Sequence, residues 1–327
     1  GIKQNGEGIN NKGLFGSLKA LGYDVHGVWY DEHTREDLQD VVLSKARQLV
    51  PDLAFFILQK DQISIETLDA LRGQGIFSVN WFGDDQWRFK TFTSKFAAHF
   101  DACITTDKFS ISSYKRVGQP NVICSQWASL ESDAEFKDVP YLYDVSFIGG
   151  ASAYRRWFVE ALRKRGVTVH CFGDRWPAGR VDWDRMGEIF RTSRINLNIS
   201  NSAQYDLRFL ASSPRNLLST LRTKKTMSQI KARNFEIPVH GGFQLTDFVP
   251  SLEDYFQIGR EVSCYGDVDE AEILIKFFLE NEEVRERIKR NGVERARSQH
   301  TFSHRVAGFM DELNCFHRDK MGRVENR

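Results

Sequence analysis

The sequence predicts an α/β protein built from two Rossmann-like halves, each a parallel sheet flanked by helices. Three observations predict it. Strand-length apolar segments alternate with helical ones along the whole chain. The strand candidates, residues 53–58 above all, are continuously apolar, as strands covered on both faces are. The alternation then starts afresh after Pro140. At 327 residues the chain has room for two domains of ordinary size. With 41% apolar and 27% charged residues, its composition is that of a globular protein that forms cores.

Taken in order, residues 12–21 carry Leu14, Phe15, Leu18 and Leu21 at helical spacing, and Gly22 stands where a C-cap belongs. Residues 24–30 then read as a strand. A Rossmann unit opens with a strand before its first helix, whereas residues 1–11 are polar and glycine-rich. The first strand is therefore expected either to be absent from the chain or to lie ahead of this numbering. A helix at 35–49, a strand at 53–58, a helix at 65–73 and a strand at 76–81 follow. Residues 102–105 form a further short strand, and Tyr114 lies in a short helix before Gly118.

In the second half, residues 144–148 read as a strand, Gly149 and Gly150 as a turn, and 154–165 as a helix. Strands at 167–172 and 195–199 enclose a helix at 186–191. The stretch 200–224 is long, polar and mixed. A helix is expected at 226–235, a turn at Gly241 and Gly242, and a strand at 261–265, before helices at 269–280, 283–297 and 302–313. The domains are thus 1–140 and 141–305, with 306–327 a final helix and charged tail.

The balance of charge excludes some functions. Lys and Arg number 45 against 44 Asp and Glu, so no global field draws the chain to nucleic acid or anionic lipid, although local patches can. The five cysteines are scattered and form no CxxC pair, which argues against a disulfide framework or a thiolate zinc site and fits a cytoplasmic setting. No apolar run nears the roughly 20 residues that cross a bilayer, and no signal peptide is recognisable. His300 and His304 lie four apart without a third ligand, so no metal is expected.

Three segments carry chemistry, each read as lying by a strand end where open α/β sheets bind ligands. Residues 80–89 (NWFGDDQWRF) place two carboxylates, Asp84 and Asp85, among large aromatics. Such a pair is expected to face a cleft, a cation or backbone donors, and one member can serve as a base toward a hydroxyl. The plainer reading is a helix N-cap followed by a first-turn acid. Residues 146–155 (SFIGGASAYR) put Gly149 and Gly150 between strand and helix, where backbone amides can approach a phosphate. A simple tight turn fits equally well, and Arg155 is either a charge-assisted contact or a solvated first-turn arginine.

Residues 229–242 (QIKARNFEIPVHGG) are the richest. Glu236 can accept both hydroxyls of a ribose, Lys231 or Arg233 can offset a diphosphate, and Gly241 and Gly242 can let amides approach it. The bland alternative is a surface helix with an internal ion pair. His240 either contacts phosphate or sugar or is a neutral structural histidine, and Trp176 either stacks on a base or packs.

These stretches, in this order, resemble the CgeB/YkvP-like glycosyltransferases within the GT-B class. The matching residues are 144–150 (DVSFIGG) with Tyr154 and Arg155, 193–199 (SRINLNI), and 233–236 (RNFE) running to Gly241, Gly242, Leu245 and Thr246. Residues 279–281 with Arg285, Asn291 with Gly292, and 300–302 with Arg305 extend the match, as does NWFGDD at 80–85. The resemblance implies two Rossmann-like domains facing across a cleft, the first on the acceptor side and the second binding a nucleotide sugar, with a last helix crossing back. It implies that Glu236 holds the donor ribose, that Arg233, Gly241 and Gly242 lie by the diphosphate, and that Ser200 and Asn201 line the same pocket. A sugar would move from a nucleoside-diphosphate donor, without a separate cofactor or bound metal, to a hydroxyl or amine acceptor that is a glycan, a protein or a small molecule. One departure bears on stereochemistry: the glutamate pair spaced eight apart in many retaining relatives is absent, because Ser228 stands there.

Two other functions are distinguishable. A nicotinamide-dependent sugar-modifying enzyme would need a GxGxxG turn and an acid at the end of the next strand, and neither is present. A non-catalytic nucleotide-sugar binder, or an assembly protein of an envelope or spore coat, would bind donor without transferring it.

Overall fold

A computed structural model describes residues 9–133, 139–200, 205–225 and 227–325. Its contacts divide the chain into one unit of residues 1–127 with 302–327 and a second of residues 128–301. The division falls before the expected point near Pro140, because Ser129 bridges to Thr301 and its amide donates to the His300 carbonyl at 3.1 Å, tying this stretch to the second unit.

In the first unit, four strands, β1 (Leu53–Phe56), β2 (Phe77–Phe82), β3 (Ala102–Thr105) and β4 (Val122–Cys124), pair in chain order, all parallel. Parallel neighbours require crossovers, and the helices Arg35–Leu49 and Ile65–Gly73 fall within the connections around β1. Each begins as its sequence dictates. Thr34 accepts from the Asp37 amide at 3.1 Å and Ser64 from the Thr67 amide at 3.2 Å. Leu38, Val42, Leu68 and Leu71 bury their apolar face with Phe82, Phe100 and Tyr114. The Phe302–Glu325 helix belongs to this unit: Phe309 stacks on Phe55 at 5.7 Å, and Lys320 reaches Asp101 at 3.0 Å.

The expected strand at 24–30 does not form. Among the described residues this segment is in no ladder, and it ends in a turn at Tyr30–Glu32. A strand is stable only when a neighbour takes up its backbone groups, and among the described residues β1 pairs with β2 alone. The opening residues 1–8 lie outside the described residues.

In the second unit, β5 (Tyr143–Ile148), β6 (His170–Phe172), β7 (Ser193–Asn198), β8 (Gln244–Asp247) and β9 (Ser263–Tyr265) form a parallel sheet of order β6-β5-β7-β8-β9. The chain leaves β5 toward one edge and then returns to its other side, so a topological switch point lies between β5 and β7. Phe147, Phe158, Leu162, Ile195, Leu197, Leu245, Val268 and Ile275 form the core.

Two expectations for this unit are corrected. The helix expected at 226–235 is Arg233–Val239, and the strand β8 was not foreseen. Pro238 sits inside that helix. Proline forfeits only one ladder bond in so short a helix, yet from sequence it reads as a stop. The polar stretch at 200–224 contains two short helices, Leu207–Ala211 and Pro214–Arg222.

Candidate functional site

The carboxyl edge of the second sheet gathers most of the expected residues. Gly149 and Gly150 follow β5, and Ser200 follows β7 after Ile199. The Arg155 guanidinium spans the switch point between them. Its Nε and Nη2 donate to the Ile199 carbonyl, Nε at 2.9 Å, and Nη1 donates to the Gly150 carbonyl at 3.0 Å. It also lies over the Phe147 ring, 5.2 Å from the centroid. Arg155 is therefore neither solvated nor a free anion clamp: its hydrogen bonds fasten two strand-end loops together. Burial, with Arg233 as a like charge nearby, pulls its pKa down to about 10.

Opposite Arg155 stands an acid that the sequence reading missed. Asp247 ends β8, one residue beyond the quoted Leu245 and Thr246, and its two carboxylate oxygens accept from the Ser200 amide at 3.1 and 3.2 Å. Burial pushes its pKa up to about 6, against the opposing pull of Ser200 and Arg155. An acid at the carboxyl end of a strand was the available signal, but it could not be used without first recognising β8.

The hydroxyl of Thr246 ties this edge to the following layer. It accepts from Asn198 Nδ2 at 3.1 Å and from Asn234 Nδ2 at 3.3 Å, while Tyr265 donates to the Asn198 carbonyl at 2.7 Å. Asn234 is in the first turn of the Arg233–Val239 helix, so that turn lies at the carboxyl edge. Its side-chain oxygen accepts from the Lys231 amide at 3.1 Å. Glu236 pairs with Arg233 at 2.8 Å, the two side chains being 10% and 23% exposed, so the pair opens to solvent on its arginine side. Burial raises the Glu236 pKa, and Arg233 opposes that rise.

Gly241, Gly242 and His240 are not part of this cluster. They connect the helix to the amino end of β8, at the opposite edge of the sheet. Gly241 has φ 89°, and its amide and that of Gly242 donate to the Pro238 and Ile237 carbonyls, each at 2.9 Å. These are the bonds of a helix stop, which leaves neither amide for a phosphate. A Cβ on Gly242 would lie 2.6 Å from Asn196 Nδ2. His240 is buried among Trp183, Phe190 and Gly187, and burial together with Arg191, Arg233 and Arg297 lowers its pKa to about 4. It is a neutral packing histidine.

The glycine turn after β5 is partly committed as well. The Gly149 amide donates to the Phe172 carbonyl at 2.8 Å, whereas the Gly150 amide has no partner among the described residues. Trp176 donates from Nε1 to the Gly149 carbonyl at 2.8 Å, so its role is to hold this turn. His300 likewise is structural, with Nε2 2.7 Å from the Tyr255 carbonyl. Asn201 lies outside the described residues. Among the described residues, no three His, Cys, Asp or Glu side chains are grouped as a metal site.

In the first unit, Asp84 and Asp85 follow β2 but differ sharply. Asp85 does not face a cleft. It is 3% exposed, and Thr93, Thr105 and Tyr114 each donate a hydroxyl to its carboxylate at 2.6 Å. Engaged by three donors and closed off from outside, it cannot act as a base toward a substrate. Asp84 is half-buried at the start of the short Asp85–Arg88 helix.

The α/β fold with its parallel sheets matches that of GT-B glycosyltransferase structures. TarM superposes with a TM-score of 0.60 at 6% identity, over 85% of this chain and 58% of TarM. The pneumococcal O-GlcNAc transferase GtfA, in complex with UDP and GlcNAc, gives 0.57 at 9% identity over 85% and 60%. HepE from Anabaena, in complex with UDP, gives 0.58 at 11% over 85% and 82%. The chain thus spans less than two thirds of TarM and of GtfA. Residues 155–311 match the family described as Glycosyl transferase-like. No curated protein sequence matches the chain.

Proposed function

We propose that the protein is a CgeB/YkvP-like glycosyltransferase that takes a sugar from a nucleoside diphosphate and passes it to a hydroxyl or amine acceptor. The observation that carries this reading is the half-open Arg233–Glu236 pair at the carboxyl edge of the second sheet, inside the segment that matches the family. In the proposed complex Glu236 releases Arg233 and accepts the two ribose hydroxyls, and Arg233 turns to the diphosphate with Lys231. Transfer builds negative charge on the departing diphosphate, which Arg233 and the Gly150 amide would stabilise. Ser200 borders the pocket. Arg155 and Asp247 are positioning residues that hold the loops around it. Asp84 remains the candidate base.

Calorimetric titration with UDP, the nucleotide in the GtfA and HepE complexes, tests the assignment. Two hydrogen bonds to a charged acceptor contribute about 1.5–3 kcal/mol each, so Glu236→Ala is expected to weaken binding by about a hundredfold or more with the fold intact. Unchanged affinity in a folded variant would reject the ribose role.

A further inference from the structure

The chain as a whole is balanced in charge, yet residues 207–235 contain seven Lys and Arg and no Asp or Glu. Within this stretch lies the Pro214–Arg222 helix, started by Pro214 at its first turn and by Ser213, which accepts from the Arg215 amide at 3.1 Å. The helix buries none of its residues, and its orientation is inverted for a helix in water. Leu217, Leu218 and Leu221 share one face and are exposed, Leu221 by 74%, whereas Asn216, Ser219 and Thr220 on the other face are half-buried. Leu207 and Met227, before and after the helix in sequence, are also exposed, by 79% and 48%. Arg215 and Arg222, seven apart, border the leucine stripe on one side, and Lys224 follows it. All three are exposed and have no carboxylate partner among the described residues.

We propose that this helix docks the protein onto an anionic bilayer surface. Leucines on one face with arginine and lysine along their border are the pattern of an interfacial helix, whose apolar face enters the acyl boundary while the cations meet lipid phosphates. The excess of positive charge selects an anionic surface. The leucines select a lipid one, because a nucleic acid or an acidic polymer offers them nothing to enter. Among the described residues no helix is long and apolar enough to cross a membrane, so the contact lies on the surface. This contact needs no nucleotide and stands apart from the donor chemistry.

Vesicle sedimentation of the full chain tests it, using phosphatidylcholine alone or with a minority of phosphatidylglycerol. Binding is expected only to the anionic vesicles and should fall with salt. At about fivefold per basic residue, the triple variant Arg215→Gln, Arg222→Gln, Lys224→Gln should lower partitioning roughly a hundredfold. The triple variant Leu217→Gln, Leu218→Gln, Leu221→Gln keeps the charge and should still lose binding about tenfold or more. All six side chains are exposed, so the fold should survive in both. A Leu221→Trp variant should be quenched by brominated lipid. The proposal is overturned if wild type ignores anionic vesicles, or if the leucine variant binds them as well as wild type does. A lipid-free dimer that the leucine variant dissociates would also overturn it, by making a second copy the occupant.

Discussion

Two buried acids show how differently a carboxylate can be accommodated. Glu236 is matched by one arginine and stays within reach of solvent, whereas Asp85 is filled by three hydroxyl donors. Burial outweighs those donors and lifts the Asp85 pKa from 3.8 to about 6. A carboxyl raised in the folded state favours folding in its protonated form. Its contribution is therefore complete below the unfolded value near 4 and is lost as pH rises through about 6. At 1.36 kcal/mol per unit the loss is about 3 kcal/mol. Asp247 titrates in the same window, so the difference between wild type and Asp85→Asn isolates one group. In urea unfolding, wild-type stability minus that of Asp85→Asn should fall between pH 4 and pH 6.5 and be flat above. A difference independent of pH would mean that Asp85 stays ionised. Asp85→Ala, which strands Thr93, Thr105 and Tyr114, should cost more than the asparagine at every pH.

At the level of elements, what was readable depended on how much each segment announces itself. The apolar run 53–58 became β1 over its first four residues, because a strand covered on both faces is apolar throughout. The run Gln244, Leu245, Thr246, Asp247 alternates over only four residues behind a glycine turn, so β8 was hidden, and with it the place of Asp247 and the edge on which Gly241 and Gly242 lie. The aspartate pair suggested an open site because two adjacent acids usually need water. The hydroxyls that satisfy Asp85 arrive from residues 93, 105 and 114, a long-range fact that spacing cannot show. Gly173 offers a test of how β6 supports the donor loop. It has φ 129°, and a Cβ there would meet the Gly149 carbonyl oxygen at 2.5 Å. Gly173→Ala should destabilise by about 2–3 kcal/mol and weaken UDP binding, since it displaces the turn carrying Gly150. Gly179→Ala is the control: φ is 69° but no atom lies near its Cβ, so it should cost only the backbone strain of about 1–2 kcal/mol. Equal effects on UDP affinity from both would break the link between Gly173 and the donor turn.

For the whole molecule, the second sheet begins with β5 at Tyr143, and each unit buries its own core. A ligand held by one unit alone should therefore leave its mark on that unit. Bound at a hundred times its Kd, UDP should add about 2.7 kcal/mol to stability, and hydrogen exchange can show where. Slowed exchange is expected at the ends of β5 and β7, notably Gly150 and Ser200, and through the first turn of the Arg233–Val239 helix. The amides of Gly241 and Gly242 already donate to Pro238 and Ile237, at the far edge of the sheet, and should respond only as much as the rest of the core. Selective protection of that glycine pair, with Gly150 and Ser200 unmoved, would place the diphosphate on the amino edge and reverse the geometry argued for this site. The opposite pattern would follow from the direction of the strands themselves, since in a parallel sheet the side with open loops and free amides is the one toward which every strand points.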